Sequence, residues 1–479
     1  MLDNARFDGT NDDVDRKELF VQMISKIKDF IGAMALAAIC ATSFPPEATA
    51  ETITLERAYE LAHANSPQIE AQGYARDAAQ AQVSEAKYYW APKFALKSQF
   101  GPMPKSKDIR SSENDIWDNF FDSWGFTTRN SLEFWLPLFT STKVYQTHQL
   151  AKIGLEVEEL RVQNEILNVE YDVARAYYGL QLATAAADVV AEAEKYVDQV
   201  ETQYRKLLES GSESVKDTDQ YRIDIAKANV YRLKNTIDAK RTYAEKALRV
   251  HTRLEGPFEI EAMDFDNAKE ELQSQDEVLD LARANRGDLK LLDASVRAAD
   301  KQAHIEWLNW WPDLVLVGEV YYKFSNAVPK LEEKNFYIKD SYNGRGFGLG
   351  FMIKWDLDPV RQVFKVRQAD AKAERTRAQR ELAISGIELE VTEQYQNTAT
   401  ALANIAITYQ SRRSAKRFLT KALFDYEAGD GDVGDMISAL TTFIEQRSMY
   451  LQALHDYRIA LVKLQKVTGV ATADTLLKQ

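Results

Sequence analysis

The stretch YYWAPKFAL (88–96) marks a point where a helical pattern gives way to a strand. The residues up to Trp90 have helical spacing, and Pro92 ends the helix because proline lacks a backbone N–H and its ring clashes inside a helix. The stretch LNWWPDLVL (308–316) repeats this arrangement, with Trp310 and Pro312 at the same spacing. A chain that makes the same helix-to-strand transition twice indicates an internal duplication.

The duplication extends far beyond these two stretches. ELAHANSPQIEAQ (60–72) aligns with DLARANRGDLKLL (280–292) under the shift that superimposes the two Trp-x-Pro sites. Each half predicts a helix, a strand hairpin, a very long helix, a tight turn and another helix. The predicted helices cover about 54–89, 143–209 and 215–254 in the first half, and about 276–309, 360–428 and 435–468 in the second.

This pattern predicts a division of the chain into four segments. They are an N-terminal extension with a signal peptide over 1–50; a first repeat over 51–275 with a hairpin at 93–138 and a tip turn at 210–214; a second repeat over 276–470 with a hairpin at 313–357 and a tip turn at 428–434; and a C-terminal tail over 471–479.

The first fifty residues have the features of a secretory leader. Lys26 and Lys28 precede a short apolar run, and ATA (48–50) is a small-x-small cleavage site. Met23 is an alternative start, because the acidic residues before it fit a leader poorly. Cys40 leaves a lipoprotein reading open, although the bulky Ile39 before it disfavours lipidation. We expect the mature chain to begin at Glu51.

Composition excludes several classes of protein. The net charge of −13 argues against a nucleic-acid partner, which would need a basic surface. One cysteine and five scattered histidines provide neither a disulfide framework nor a zinc site. The sequence carries no nucleophile–base triad, phosphate-binding loop or dinucleotide motif, so it predicts no enzyme activity and no cofactor.

The long helix of the first half carries a heptad repeat. Apolar residues recur every seven positions from Val162 to Tyr204, with a second column from Ile166 to Ala187. This is the pattern of a coiled coil, and it favours that structure over a plain amphipathic helix. In the second half, the two short helices together are about as long as the long one, so we expect them to stack end to end beside it.

The strands alternate between apolar and polar residues over runs long enough for a tilted strand to cross a bilayer. A half-buried sheet of a soluble protein alternates in the same way. Aromatic residues at one end of the hairpins favour an outer-membrane barrel with an interfacial girdle. The girdle consists of Trp90, Trp135, Trp310, Trp311 and Trp355. Four strands cannot close a barrel, so an oligomer is expected.

The order of elements, LAHANSPQIEAQ (61–72), the Trp-x-Pro sites, YEAGDGDVGDM (426–436) and HDYRIALVKLQKVTG (455–469) resemble the TolC-like outer-membrane efflux proteins. The resemblance covers nearly all of 51–470. It implies an α+β homotrimer whose shared twelve-stranded barrel, four strands per chain, lies in outer-membrane lipid and continues as a long helical tunnel through the periplasm. It also implies a passive exit duct for an inner-membrane pump and a periplasmic adaptor, in tripartite efflux or type I secretion.

The same resemblance implies a gate at the periplasmic tip. The family's Tyr–Asp lock falls on Tyr426 and Asp217, and the first acid of its selectivity ring falls on Asp435. Ser438 and Gly431 depart from the family, which has a second acid and a gate-closing arginine at these positions. Asp430 and Asp432 are candidates for extra negative charge at the constriction, or for ordinary solvated turn residues.

Two other functions stay open at this level. A periplasmic coiled-coil scaffold without a pore would share the helices but would not explain the apolar strand faces. An envelope hydrolase lacks a catalytic constellation. The cargo, whether drugs, metals or proteins, is not encoded in these features.

Overall fold

The computed structural model describes residues 51–105, 123–210, 216–263, 270–328, 330, 340–428, 431–470 and 473–477. The chain divides into two compact units. The smaller takes in, among the described residues, Glu51–Ile53 and Glu255–Glu259. The larger comprises Thr54–Leu254 and Ile260–Gln479, so it holds parts of both sequence repeats. The repeat boundaries themselves stay predictions. Most of the predicted long loops, at 106–122 and 331–339, lie outside the described residues.

The described elements follow the order predicted from the sequence. The helices are α1 (Leu55–Asn65), α2 (Pro67–Lys87), α3 (Lys143–Glu209), α4 (Asp217–Thr252), α5 (Gln275–Asn285), α6 (Gly287–Leu308), α7 (Pro359–Glu427) and α8 (Val433–Thr468). The strands are β1 (Glu51–Ile53), β2 (Lys93–Pro104), β3 (Trp124–Phe139), β4 (Phe258–Ile260), β5 (Asp313–Ser325) and β6 (Gly344–Lys354). The short β1 and β4 form a two-stranded sheet.

The first helix of each half is not continuous, so the prediction of single helices over 54–89 and 276–309 was wrong. The helix start that Asn65-Ser-Pro67 predicts is confirmed at the first of these two breaks. Ser66 has an extended backbone and its hydroxyl caps α2, whose first residue is Pro67. Proline disfavours helical geometry in the residue before it, which accounts for the break. In the second half Arg286 adopts nearly the same backbone angles without a proline. Its side chain donates to Asp288 and Glu390 and holds that junction in place.

The two long helices, α3 and α7, each contact several shorter helices. Helix α3 packs against α2, α4, α6 and α8, and α7 packs against α5, α6 and α8. Helices α5, α6 and α8 all contact α7, and Arg286 at the α5–α6 junction donates to the Val467 carbonyl near the end of α8. The end-to-end arrangement beside α7 stays a prediction. At 1.5 Å per residue, the 67 residues of α3 span roughly 100 Å.

The heptad positions of α3 form much of the core. Those that are buried are Val169, Val173, Ala176, Leu180, Ala183, Val190, Val197 and Tyr204. The C-terminal members of this set meet residues of α4, α7 and α8, including Ile223, Leu419 and Met436, in one apolar cluster. The cluster joins helices from both sequence repeats, so neither half completes its core alone.

The four long strands form one antiparallel sheet in the order β2-β3-β5-β6. Its apolar face is exposed: Leu96 is 75% accessible, Val320 57% and Phe347 83%. The outer strands, β2 and β6, have no second partner among the described residues. An exposed apolar face and two open edges are unfavourable in water, so this sheet is suited to lipid and to pairing with further strands.

Candidate functional site

The candidate site lies where α3 leads to α4 and α7 leads to α8, a region here called the tip. Helix α3 ends at Glu209 and α7 at Glu427, while α4 begins at Asp217 and α8 at Val433. Helix α8 packs on both α3 and α4 as well as on α7. The tip therefore brings together residues that the sequence separates by about half its length.

Asp432 holds three contacts at the tip. As the N-cap of α8, its carboxylate accepts a hydrogen bond from the backbone N–H of Gly434 at 2.6 Å. It also accepts hydrogen bonds from Lys216 Nζ at 2.5 Å and from Arg222 at 3.3 Å. Lys216 precedes α4 and Arg222 lies within it, so this ion pair connects the helix pair of one repeat to that of the other. We call Asp432, Lys216 and Arg222 the cross-repeat tie.

The contacts of Asp432 stabilise its charged form. The hydrogen bond from Lys216, followed by that from the Gly434 backbone and the charge of Arg222, lowers the pKa of the Asp432 carboxyl. Its carboxylate is therefore paired within the same chain, in the tie. The role of Asp432 as extra negative charge at a constriction stays a prediction.

Tyr426 is buried beside a carboxylate that sequence reasoning missed. Its hydroxyl has no hydrogen-bond partner among the described residues, and burial together with Asp219 and Tyr204 raises its pKa to about 12. Asp219 is 1% accessible, and one of its oxygens accepts a hydrogen bond from the Lys216 backbone N–H at 3.0 Å. Its position three residues into α4 was the available signal, because an acid there accepts a hydrogen bond from the backbone N–H of the N-cap residue.

Two of the predicted gate residues cannot be assigned contacts. Asp430 lies outside the described residues. The backbone of Asp217 begins α4, but its side chain is also outside them. The Tyr426–Asp217 lock therefore stays a prediction.

Gly431 lies in a turn that has no space for a side chain. A Cβ atom at Gly431 would lie 2.7 Å from the backbone nitrogen of Tyr426 and 2.9 Å from the carbonyl carbon of Asp425. Any side chain would have to displace the last turn of α7. The close approach of the backbone therefore favours glycine at this position.

Asp435 lies in a groove of about 980 Å³ between α4 and α8. Its side chain is exposed and has no ion-pair partner in the described part of the chain. Ser438, one helical turn further along α8, lines the same groove, as does Arg222 of the tie. The first turn of a helix favours a negative charge, so the free carboxylate of Asp435 costs little there.

The aromatic residues at the strand ends fall into two groups. Trp90, Trp310, Trp311 and Trp355 are exposed, and the Trp355 indole N–H donates to the Trp310 carbonyl at 3.1 Å. Trp135 differs. Lys97 lies 5.9 Å from its ring centroid, on the face of the sheet where Lys97 also pairs with Glu133. Because side chains alternate along a strand, Trp135 is on the polar face and is not part of an outward girdle.

The described residues contain no group of three or more metal-ligating side chains. They also contain no helix that is both long and apolar enough to span a membrane.

The family model for outer membrane efflux proteins matches residues 58–251 and again residues 278–470. The chain belongs to this family. The two matches reproduce the internal duplication. No protein of curated function matches the sequence.

Solved structures share the fold at low sequence identity. The Campylobacter jejuni outer membrane channel CmeC is 14% identical, with 88% of each chain covered and a TM-score of 0.70. The Vibrio cholerae outer membrane protein VceC is 17% identical, with 87% of this chain and 96% of that chain covered and a TM-score of 0.66. The open state of the Neisseria gonorrhoeae channel MtrE is 14% identical, with 87% and 88% covered and a TM-score of 0.67.

Family membership identifies the chain as an outer-membrane efflux channel protein and not an enzyme. The fold agrees, because the exposed apolar strand face suits lipid and the helices suit a channel wall. The interpretation as a TolC-like protein is confirmed.

Proposed function

We propose that the protein is the exit channel of a tripartite efflux or type I secretion system. Three copies close a twelve-stranded barrel in the outer membrane, and their helices form a tunnel through the periplasm. A periplasmic adaptor joins this tunnel to an inner-membrane pump, which supplies the driving force. The observation that carries the proposal is the sheet, whose four strands expose an apolar face and leave both edges open.

Three copies supply enough strands to close a barrel, which one copy does not. Four strands are too few to close a barrel, whereas three sets of four exceed the practical minimum of about eight. Closure pairs β6 of one copy with β2 of the next and removes every open edge. A pore-free periplasmic scaffold, the alternative function, would leave Phe347 and Phe351 in water at 83% and 75% accessibility.

The proposal includes a gate at the tip. The cross-repeat tie holds α4 and α8 together, and opening a passage through the tip requires these helices to separate. The free carboxylate of Asp435, repeated in three copies, would give the passage a negative potential and favour cations. Tyr426 and Asp217 complete the proposed gate as its lock.

The native mass of detergent-extracted protein from purified outer membranes tests the assembly. A mass of three mature chains, together with conductance in a planar bilayer, is the expected result. A monomer recovered from the soluble periplasm would overturn the channel and leave the scaffold.

A further inference from the structure

The polar face of the sheet carries two pairs of like charges in direct register. Glu133 of β3 lies opposite Glu319 of β5. Four residues away along the same strands, Arg129 lies opposite Lys323. All four side chains share one face, because positions separated by even numbers of residues point to the same side of a strand.

These two like-charge pairs destabilise the sheet. Like charges directly opposite each other on neighbouring strands are destabilising. Lys97 on β2 relieves one side of the acidic pair, since its Nζ lies 2.7 Å from each carboxylate oxygen of Glu133. Glu319 has no ion-pair partner in the described ranges, and its other neighbour across the ladder is Gly348.

The basic pair is also left without a carboxylate in the described part of the sheet. Lys323 Nζ lies 4.9 Å from the ring centroid of Tyr321, and Arg129 is exposed. The uncharged pair of Ser131 and Tyr321 separates the acidic row from the basic row. Four residues at about 3.3 Å each put the two rows roughly 13 Å apart along the strands.

The rows lie on the face opposite the exposed apolar side chains. Leu132 and Val320 are opposite each other on that apolar face, and each adjoins a member of the acidic pair in sequence. In a closed barrel with its apolar face toward lipid, the charged rows line the lumen. This step rests on the proposed trimer.

We propose that these rows form two charged rings of opposite sign in the barrel lumen, which set its ion selectivity and make its current depend on the sign of the voltage. Glu319 is the uncompensated member of the acidic ring, and Arg129 and Lys323 form the basic ring. At about 0.1 M salt the screening length is about 10 Å, shorter than the roughly 13 Å between rows, so each ring acts separately. A water-filled passage that is lined by charge and surrounded by low-dielectric walls concentrates ions of the opposite sign.

The test compares Glu319→Gln and Lys323→Gln channels with wild type in planar bilayers. A salt gradient is applied across the bilayer at a salt concentration of about 0.1 M. We expect Glu319→Gln to lower the cation-to-anion permeability ratio and Lys323→Gln to raise it. Each ratio should change roughly threefold, as about half a kT of potential produces, because the potential acts on cations and anions in opposite directions. The double variant should reduce the asymmetry of the current–voltage curve, because only Arg129 of the basic ring remains. The shifts should shrink at about 1 M salt, where the screening length is about 3 Å.

The control is Asp280→Asn, which changes net charge as Glu319→Gln does but lies on α5, where Asp280 pairs with Arg283. All channels are also recorded in combination with Asp432→Asn, which should loosen the tip. A narrow tip then does not hide changes in the ion selectivity of the barrel. Permeability ratios that do not move in either background, or that move in the same direction for both variants, overturn the rings while the channel stands. A wild type that forms no conducting trimer overturns the proposed function and the rings with it.

Discussion

The tip and the sheet differ in whether one chain alone pairs its charges and buries its apolar side chains. At the tip, Asp432 forms ion pairs with Lys216 and Arg222 of the same chain, and the apolar side chains clustered around Met436 are buried. At the sheet, the apolar face is exposed and both edge strands lack a second partner in the described residues. The tip therefore pairs its charges and buries its apolar side chains within one chain, whereas the sheet leaves an apolar face and two edges that the proposed trimer would cover.

A charge on the apolar face of the sheet should have the largest effect, because it should prevent assembly in the membrane. Phe351→Lys puts an ammonium where lipid is expected, at a cost of about 2–4 kcal/mol per chain near the bilayer midplane. We expect loss of trimer from the outer-membrane fraction, measured by native gel. Gly350→Lys is the matched control, because that position faces the other side of the strand and has open space for a side chain. Equal assembly of the two variants would contradict the lipid-facing assignment.

Loss of the tie should loosen the tip without disturbing assembly. Asp432→Asn removes the ionic contacts with Lys216 and Arg222, and we expect bilayer conductance to rise by roughly 1.5- to fivefold, since exposed ion pairs are weak. Asp425→Asn is the control, because Asp425 pairs with Lys421 within α7 and does not link the repeats. Conductance that responds equally to both changes would show that the tie has no special role.

The tie should also respond to acid. The pKa of Asp432 is lowered from its ordinary value of 3.8, so its stabilising contribution is complete above that value and is lost as the pH falls through the lowered pKa. We therefore expect conductance to rise below about pH 4 in wild type and not in Asp432→Asn. A rise of the same size in both proteins would assign the acid response to another group.

Asp435→Asn should have a smaller effect, on selectivity alone. Removing a free carboxylate that three copies bring to one passage should lower cation preference at the tip. The reversal potential under a salt gradient measures it, and Ser438→Ala, in the same groove, is the uncharged control. An unchanged reversal potential would remove Asp435 from the proposed constriction.

Tyr426→Phe should have the smallest effect. The Tyr426 hydroxyl is buried without a hydrogen-bond partner in the described ranges, so its removal should leave the free energy of unfolding unchanged or raise it by up to about 1 kcal/mol. Chemical denaturation measures this. A clear loss of stability would show that the hydroxyl has a stabilising partner. The proposed lock is tested by Tyr426→Phe combined with Asp217→Ala, which should raise conductance, and an unchanged open probability would count against the lock.

The fold was largely predictable because it depends on local periodicity. The heptad positions of α3 and the alternation in the strands follow from residue spacing, and the structure buries or exposes those side chains accordingly. The break at Arg286 was missed because the residue after it is Gly287, not proline. Trp135 was placed in the girdle by its position along the strand, whereas the parity of that position puts it on the polar face.

The site was less predictable, because its contacts join distant parts of the chain. Lys216 and Asp432 are 216 positions apart, and only the packing of α4 against α8 brings them together. By itself, the sequence determined the duplication, the helices and strands, and the apolar face, since each follows from the spacing of side chains along one element. Only the tertiary structure decided that Asp432 is paired and Asp435 is free, because electrostatic pairing depends on distance in space.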